Sequence, residues 1–271
     1  IPNKILIKSD GTSLYMTQDI YLAKLKHDDF KIDRSIYVVG SEQENHFQQL
    51  FKILELLKFP FADKCYHLSY GMISLPSGRM KSREGTVVDA DDLMDEVIDE
   101  AKKEIKERHK NLSKKEIDKR AEIIGMGALK YLMLRYDNQR SFVFNPEEAI
   151  SFEGETGPYI QYVHARICSI LRKLDEIPGK ADYSMLREDE EHKLIDILSR
   201  FPETIESSSK HYKPSILCRY LLDLAQAFNE FYQSCPILKV EDKLKNSRVL
   251  LAVCVRQVIK NGLFLLGIKA P

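Results

Sequence analysis

One predicted loop concentrates cations and hydroxyl groups, at residues 79–86 (Arg-Met-Lys-Ser-Arg-Glu-Gly-Thr). The turn-forming run Leu-Pro-Ser-Gly at residues 75–78 precedes it, and a helix is predicted to begin within residues 87–93. Lysine and arginine supply positive charge, and hydroxyl and main-chain N–H groups donate hydrogen bonds, so the loop is suited to hold a polyphosphate. By itself, the same stretch also fits a solvated basic turn.

A second candidate site is a tyrosine and a carboxylate at the start of a predicted helix. Tyr15 and Asp19 are four residues apart, so a helical turn places them on one side. Thr17 is the predicted N-cap, and Asp19 then lies in the first turn, where the helix dipole favours a carboxylate. A capped surface helix with a packed tyrosine remains an open alternative.

Gln43 and His46 follow a predicted strand of a parallel sheet. The apolar run Ser35–Val39 predicts a strand buried on both faces, and it ends at Gly40. Residues 42–58 then have helical periodicity. Ligands of parallel sheets bind at the carboxyl ends of the strands, so Gln43 and His46 are expected at the binding edge. A histidine that caps the helix or lies at the core edge is equally consistent with position 46.

A third candidate surface lies on a helix that Gly157 and Pro158 are predicted to begin. Tyr159, Tyr162 and Arg166 follow at helical spacing, which predicts one face of aromatic rings and a cation. Such a face can stack RNA bases and bind phosphate. For each residue taken singly, an aromatic helix packed between domains is an alternative.

Taken together and in this order, these stretches resemble the motifs of arginyl-tRNA synthetases, a family of class I aminoacyl-tRNA synthetases. Residues 79–83 resemble the Lys-Met-Ser-Lys-Ser loop of that family, with Arg79 where a lysine is usual. Residues 15–19 are similar to its Tyr-Thr-Thr-Arg-Asp pattern, and residues 43–46 to its Gln-x-x-His pattern. Residues 152–166 are similar to the entry into its helical anticodon-binding domain. Later stretches, at residues 228–232 and 266–271, also resemble that domain.

The resemblance covers residues 10–271 and implies a role for each candidate residue. In the family the loop holds the ATP phosphates, and the role of the second lysine falls on Lys81 or Arg83. The implied residues are, for ATP, Arg79, Met80, Lys81, Ser82, Arg83, His46, Gly71 and Met72; for the arginine substrate, Tyr15, Asp19 and Gln43; and for tRNA, Tyr159, Gln161, Tyr162 and Arg166.

The implied activity is the ligation of arginine to its tRNA, achieved by positioning and charge stabilisation without a covalent protein nucleophile. The other ATP motif of the family, His-Ile-Gly-His, is absent, and none of the 7 histidines belongs to a His-x-Gly-His sequence. We therefore expect a C-terminal part of a synthetase that does not activate arginine alone but binds tRNA. The expected partners are ATP with Mg²⁺, L-arginine and the tRNA for arginine.

The composition is that of an ordinary globular protein, with 44% hydrophobic and 30% charged residues. The formal net charge is zero, so any contact with RNA must be local. The 5 cysteines are widely spaced and include no Cys-x-x-Cys pair, which argues against a disulfide framework or zinc site and favours mostly buried thiols. We expect a cytoplasmic monomer with no protein-bound metal and no membrane association.

The predicted fold class is an α/β, partial Rossmann-like nucleotide-binding half followed by an all-α helical bundle, with domains at residues 1–145 and 146–271. Short strands are predicted at residues 5–7 and 65–68, an amphipathic helix at residues 91–108, and a capping box at Ser113. The glycines at positions 125 and 127 predict close helix packing. After Pro146 the predicted helices are residues 147–152, 157–174, 188–199, 202–209, 214–234 and 246–266.

Two other functions remain open on the sequence. The helical half is also consistent with a non-catalytic RNA-binding module. Another class I synthetase with a similar helical domain, such as the cysteinyl type, is the second alternative. The lack of a zinc-ligand set of cysteines counts against the cysteinyl type.

Overall fold

The computed structural model describes residues 4–74, 89–108 and 111–271. These residues fall into two compact units. The first contains residues 4–74 and Asn138–Val143, and the second contains the described residues between 89 and 137 and Phe144–Pro271. The predicted phosphate loop lies outside the described residues, and with it Arg79, Met80, Lys81, Ser82 and Arg83.

The first unit is built on a parallel pair of strands joined by a helix, as the sequence predicts. Strands β1 and β2 pair in parallel, with Ser35 opposite Cys65 and Gly40 opposite Tyr70. A second, shorter parallel pair joins β3 to β4. The elements are α1 (Tyr15–Phe30), β1 (Ser35–Gly40), α2 (Glu44–Leu56), β2 (Cys65–Tyr70), β3 (Ile73–Ser74) and β4 (Phe142–Val143).

Only one face of strand β1 is covered in this unit. Tyr37 and Val39 pack against a core that α1 and α2 build together, whereas Ile36 and Val38 are 41% and 63% exposed. The prediction of a strand buried on both faces is therefore wrong for this chain, because both helices contribute to the same core. The buried members of that core are Met16, Ala23, Phe47, Leu50, Leu54 and Phe61.

The start of α1 differs from the sequence prediction. The helix begins at Tyr15, so Thr17 lies inside its first turn and is not the N-cap. The hydroxyl of Thr17 donates instead to the main-chain carbonyl of Leu6. The strand predicted at residues 5–7 contributes one isolated antiparallel bridge through Ile7. A tertiary contact thus takes the hydroxyl that the local sequence assigns to a cap.

The second unit is helical. From Pro146 onward the structure describes the course of the whole main chain, and this stretch contains helices but no strand, as predicted. Helix α9 has the predicted bounds, and the others begin and end within a few residues of their predictions. The helices are α3 (Ala90–Arg108), α4 (Lys114–Leu134), α5 (Pro146–Ile150), α6 (Gly157–Leu171), α7 (Asp189–Ser199), α8 (Phe201–His211), α9 (Pro214–Ser234) and α10 (Asp242–Leu265).

Helices α3 and α4 pack with α5 and α6 in this unit. The capping box of α4 forms, since the main-chain N–H of Glu116 donates to Ser113 Oγ at 3.3 Å and that of Ser113 donates to Glu116 Oε2 at 3.2 Å. The compact units divide the chain elsewhere than between residues 145 and 146. The predicted domain boundary between these residues stays a prediction. The buried stripe of α3 is as predicted: Leu93, Val97, Ala101 and Ile105.

One ion pair is enclosed within the helical bundle. Glu191 on α7 and Arg248 on α10 are 2.6 Å apart, and their side chains are 0% and 6% exposed. The Oε2 atom of Glu191 also accepts from the main-chain N–H groups of Arg187 and Glu188, at 2.7 and 2.9 Å. Arg248 donates to the carbonyl of Pro236 at 2.9 Å. These bonds satisfy both buried charges and tie α7 to α10.

The cysteines are free thiols in differing environments. Cys218 and Cys235 are buried, whereas Cys254 is exposed on α10. Burial raises the pKa of the Cys218 thiol to about 12, so this group stays protonated at neutral pH. Within the part of the chain that the structure describes, no helix has the length and apolar content needed to cross a bilayer.

Helices α4 and α6 cross at contact distance through two glycines. A β-carbon added at Gly157 would lie 2.5 Å from the carbonyl oxygen of Gly127. One added at Gly127 would lie 2.6 Å from the side-chain amide of Gln161. The predicted close packing at the α4 glycines is confirmed at Gly127, because only a residue without a side chain fits this approach.

We predict that Gly157→Ala separates α4 from α6 and destabilises the chain by about 1–3 kcal/mol, as overpacking of a tight contact does. The shift of the urea midpoint of the helical circular dichroism signal measures this effect. Gly179→Ala is the matched control, because a β-carbon there meets nothing within 4 Å. Equal midpoints for the two variants would contradict the tight crossing.

Candidate functional site

Three residues predicted to bind substrates meet at the starts of α1 and α2. Nε2 of His46 lies 2.7 Å from Oδ2 of Asp19, and the two side chains are 19% and 27% exposed. The ring of Tyr15 meets the ring of His46 edge to face, with centroids 6.5 Å apart. Tyr15 is 76% exposed, so the cluster is open to solvent on the tyrosine side. The predicted convergence of Tyr15 and Asp19 is thus seen around His46.

Gln43 lies beside this cluster in the sequence and is exposed at the N-cap of α2. It ends a short 3-10 turn that follows β1, so Gln43 and His46 come after the carboxyl end of that strand, one helical turn apart. At the same strand end, Gly40 faces the ring of Tyr70 and the sulfur of Met72. Both are within 4.0 Å of the position that a β-carbon of this glycine would take.

Gly71 and Met72, predicted to lie near adenine, are held by the returning chain at residues 138–141. The N–H of Gly71 donates to the carbonyl of Asn138 at 2.7 Å, and that of Met72 donates to Ser141 Oγ at 3.0 Å. A β-carbon on Gly71 would lie 2.5 Å from the carbonyl carbon of Arg140. This packing alone requires glycine at position 71, a reason that sequence analysis missed. The role of both residues at adenine stays a prediction.

The predicted RNA face is built by two helices. Tyr159, Tyr162 and Arg166 on α6 lie with Asn229 and Tyr232 on α9, and these five residues define the α6–α9 face. The guanidinium carbon of Arg166 lies 4.6 Å from the ring centroid of Tyr162 and 5.4 Å from that of Tyr232. Tyr162 and Tyr232 are 45% and 42% exposed, so both rings are accessible from solvent.

Hydrogen bonds fix the rotamers of this face. Arg166 donates to Asn229 Oδ1 at 2.7 Å and to the hydroxyl of Tyr162 at 2.9 Å. Asn229 in turn donates to the hydroxyl of Tyr159 at 2.7 Å. Sequence analysis missed Asn229 and Tyr232 as site residues. Asn229 and Tyr232 are three residues apart on a predicted helix, so the sequence indicated that they share one side of it. That this side packs against α6 depends on the fold.

Gln161 does not lie on the α6–α9 face. It is 1% exposed, and its amide donates to the carbonyls of Ile123 and Lys269 at 3.1 and 2.8 Å. Two residues after Tyr159, a helix has turned by about 200°, which places Gln161 on the opposite side of α6. The structure therefore assigns it to anchoring α6 against α4 and the C-terminal segment, not to a surface that RNA can reach.

The described residues contain no group of three or more histidine, cysteine, aspartate or glutamate side chains placed to hold a metal ion. The cations predicted to bind ATP phosphates lie outside these residues. What the described chain presents is a carboxylate–histidine–tyrosine cluster in the first unit and an arginine–tyrosine face in the second. The cluster has a carboxylate that suits a small organic cation, and the face has rings and a guanidinium that suit nucleic acid.

Comparison with known families assigns both halves of the chain. Residues 1–146 match the family described as tRNA synthetases class I (R), catalytic domain. Residues 160–271 match the family described as DALR anticodon binding domain. The first match alone covers more than half of the chain.

Individual relatives agree with these matches. The arginine–tRNA ligase of Parabacteroides distasonis is 44% identical over 278 residues, covering 100% of this chain and 47% of the relative. That of Treponema denticola is 47% identical over 271 residues, covering 97% of this chain and 46% of the relative. Among solved structures, the Thermus thermophilus arginyl-tRNA synthetase has a TM-score of 0.91 at 28% identity, covering 99% of this chain and 50% of that one.

The chain spans about half the length of the relatives it matches. Within that half, the order of the two family matches is the order of the two predicted halves, a class I catalytic part and then a helical part. The chain therefore belongs to the class I arginyl-tRNA synthetase family.

Proposed function

We propose that the chain is the C-terminal part of an arginine–tRNA ligase. In the proposed reaction the carboxylate of arginine attacks the α-phosphate of ATP, which forms arginyl-adenylate and releases pyrophosphate. The terminal ribose hydroxyl of tRNA then attacks the acyl carbon and releases AMP. The observation that carries the proposal is the Tyr15–Asp19–His46 cluster, which lies within the residues that match the catalytic family.

Asp19 is the proposed partner of the arginine side chain. Its carboxylate is the acceptor that a guanidinium pairs with best, and the hydrogen bond from His46 to Oδ2 fixes its orientation. Tyr15 is exposed beside it and supplies an aromatic wall. Gln43, at the N-cap of α2, completes the proposed arginine site. In this arrangement His46 is a positioning residue for Asp19 as well as a wall of the nucleotide site.

The proposed ATP site includes residues that the structure describes and residues outside the described ranges. Arg79, Lys81, Ser82 and Arg83 would hold the phosphates, and Mg²⁺ would arrive with ATP as part of the substrate. Gly71 and Met72 would face adenine. Because the sequence contains no His-x-Gly-His motif, we propose that the 271 residues alone do not activate arginine.

The α6–α9 face is the proposed tRNA-binding surface. It offers two accessible tyrosine rings for base stacking and a guanidinium that is charged at every physiological pH. The surface belongs entirely to the helical unit, so we propose that this chain binds tRNA without the rest of the synthetase. A non-catalytic RNA-binding role of this helical part is therefore what the 271 residues would perform by themselves. We place that work in the cytoplasm and expect a monomer.

We predict that Asp19→Asn, in a full-length synthetase that contains this half, raises the KM for arginine and leaves the KM for ATP unchanged. The loss should be roughly 10- to 150-fold, the equivalent of one hydrogen bond to a charged group at about 1.5–3 kcal/mol. ATP–pyrophosphate exchange at varied arginine concentration measures it.

The matched control for that experiment is Asp28→Asn, which changes a carboxylate on the same helix that pairs with Lys24 at the surface. Equal effects of the two variants would contradict an arginine site at Asp19. The 271-residue chain by itself is the second control, and robust exchange by it would refute the proposal that it cannot activate arginine.

We predict that Tyr162→Ala weakens the binding of arginine tRNA to this chain by roughly 5- to 150-fold, since one stacked base contributes about 1–3 kcal/mol. Arg166→Gln should also reduce the slope of log affinity against log salt by about one, if the guanidinium neutralises a phosphate. Fluorescence anisotropy with labelled tRNA at several salt concentrations measures both. Tyr183→Ala and Arg172→Gln change exposed residues outside the face and should leave affinity and slope unchanged. Losses of the same size in these two controls would refute the assignment.

A further inference from the structure

We propose that Arg108 and Phe152 form a second base-stacking site for RNA, next to the α6–α9 face. The inference rests on the proposed function, because it takes tRNA as the partner of the helical unit. Its basis is a continuous row of side chains that we call the arginine–aromatic strip. The strip consists of Arg108, Phe152, Tyr162, Arg166 and Tyr232.

The strip repeats one contact, a guanidinium over an aromatic ring. The guanidinium carbon of Arg108, at the end of α3, lies 4.7 Å from the ring centroid of Phe152. That of Arg166 lies 4.6 Å from the centroid of Tyr162. The rings of Phe152 and Tyr162 meet edge to face, with centroids 6.5 Å apart and planes at 80°. The two guanidinium–ring contacts are therefore joined, and the Arg108–Phe152 contact extends the α6–α9 face toward α3.

A groove of about 420 Å³ opens beside the new contact, a volume in the range of small-molecule pockets. The Arg108 side chain is 54% exposed, and Arg108 both lines the groove and places its guanidinium over the ring of Phe152. Nucleobases stack on guanidinium planes in the same way as on aromatic rings. The lining of the groove includes Glu100, Glu104, Arg108, Phe152 and Glu153.

The charges of the groove decide which part of RNA it accepts. Among the described residues, three carboxylates line it with one guanidinium. Nε of Arg108 lies 3.3 Å from Oε2 of Glu104, and Glu100 pairs with Lys103, which leaves the described charges negative in sum. This negative balance repels a phosphate. An exocyclic amine of a base can donate to a carboxylate while its ring stacks on Arg108. The groove therefore favours a base that carries an exocyclic amine, which is cytosine, adenine or guanine, over uracil, whose N3–H donor lies between two carbonyl oxygens that a carboxylate repels.

The test compares Arg108→Gln and Phe152→Leu with the unchanged chain in binding to arginine tRNA. Each should weaken binding by roughly 5- to 150-fold, the range expected for one lost stacked base. Phe152→Leu keeps an apolar side chain at this position, and Arg108→Gln alters only an exposed tip, so the fold is retained. Unchanged affinity in both variants would overturn the second site.

Two matched controls accompany these variants. Arg200 is an exposed arginine paired with the carboxylate four residues before it, as Arg108 is, with Nη2 at 2.9 Å from Asp196. Arg200→Gln should therefore have no effect on tRNA affinity. Phe264 is a phenylalanine on α10 that is 78% exposed, and Phe264→Leu should likewise have no effect. Losses in these controls equal to those at Arg108 and Phe152 would overturn the site.

Tyr162→Ala separates this inference from the proposed function. If the unchanged chain binds tRNA and only Tyr162→Ala weakens it, the second site is refuted and the proposed function stands. If the unchanged chain does not bind tRNA, both are refuted.

The type of base is tested with short oligocytidylate and oligouridylate of equal length. The chain should prefer oligocytidylate, and Arg108→Gln and Phe152→Leu should abolish that preference. Equal affinity for the two oligomers, or a preference for oligouridylate, would overturn the assignment of an amine-bearing base.

Discussion

The helical unit depends on the contact between α4 and α6, where Gly157 lies against the main chain of Gly127. That close approach fixes the position of the α6 axis, and the two sides of the helix then lie in different environments. One side is buried, where Gln161 binds the carbonyl of Lys269 and Nδ1 of His164 lies 2.9 Å from the carbonyl of Pro271. Burial lowers the pKa of His164, so this contact is made by a neutral imidazole at neutral pH. The opposite side is then free to present tyrosines and arginine to solvent.

A chain of zero net charge can still recognise a polyanion if its charges are arranged locally. Among the described residues of the bundle, the enclosed pair of Glu191 with Arg248 is hydrogen-bonded on both sides and holds α7 to α10. The guanidinium of Arg166 lies in a different environment. It lies near the partly exposed rings of Tyr162 and Tyr232 and is itself partly exposed. Arginine thus occurs in two environments, enclosed at Arg248 and partly exposed on the proposed RNA surface at Arg166, and burial distinguishes the two.

The sequence predicted the features that depend on local pattern. The buried stripe of α3 follows from periodicity, the capping box follows from Ser113 and Glu116, and the bounds of α9 follow from a proline at its first residue and a Cys-Pro pair after its last. Helical spacing predicted that Tyr15 and Asp19 lie on one side of α1, but their meeting through His46 depends on the α1–α2 contact, which the sequence did not predict.

The misses share a physical cause, since each depends on partners distant in sequence. Thr17 is not a cap because the carbonyl of Leu6 takes its hydroxyl. Gln161 is not on the α6–α9 face because its amide donates to main-chain carbonyls of α4 and the C-terminal segment. Val38 is exposed because α1 and α2 contribute to one core. Each of these side chains has a plausible local assignment that only tertiary contacts overrule.

We propose that the helical unit of this chain recognises tRNA by itself. The most direct test is the affinity of the 271-residue chain for arginine tRNA and for an unrelated tRNA, each at two salt concentrations. We expect selective binding of arginine tRNA, with an affinity that falls steeply as salt is raised. Equal binding of the two tRNAs, or no binding of either, would contradict it.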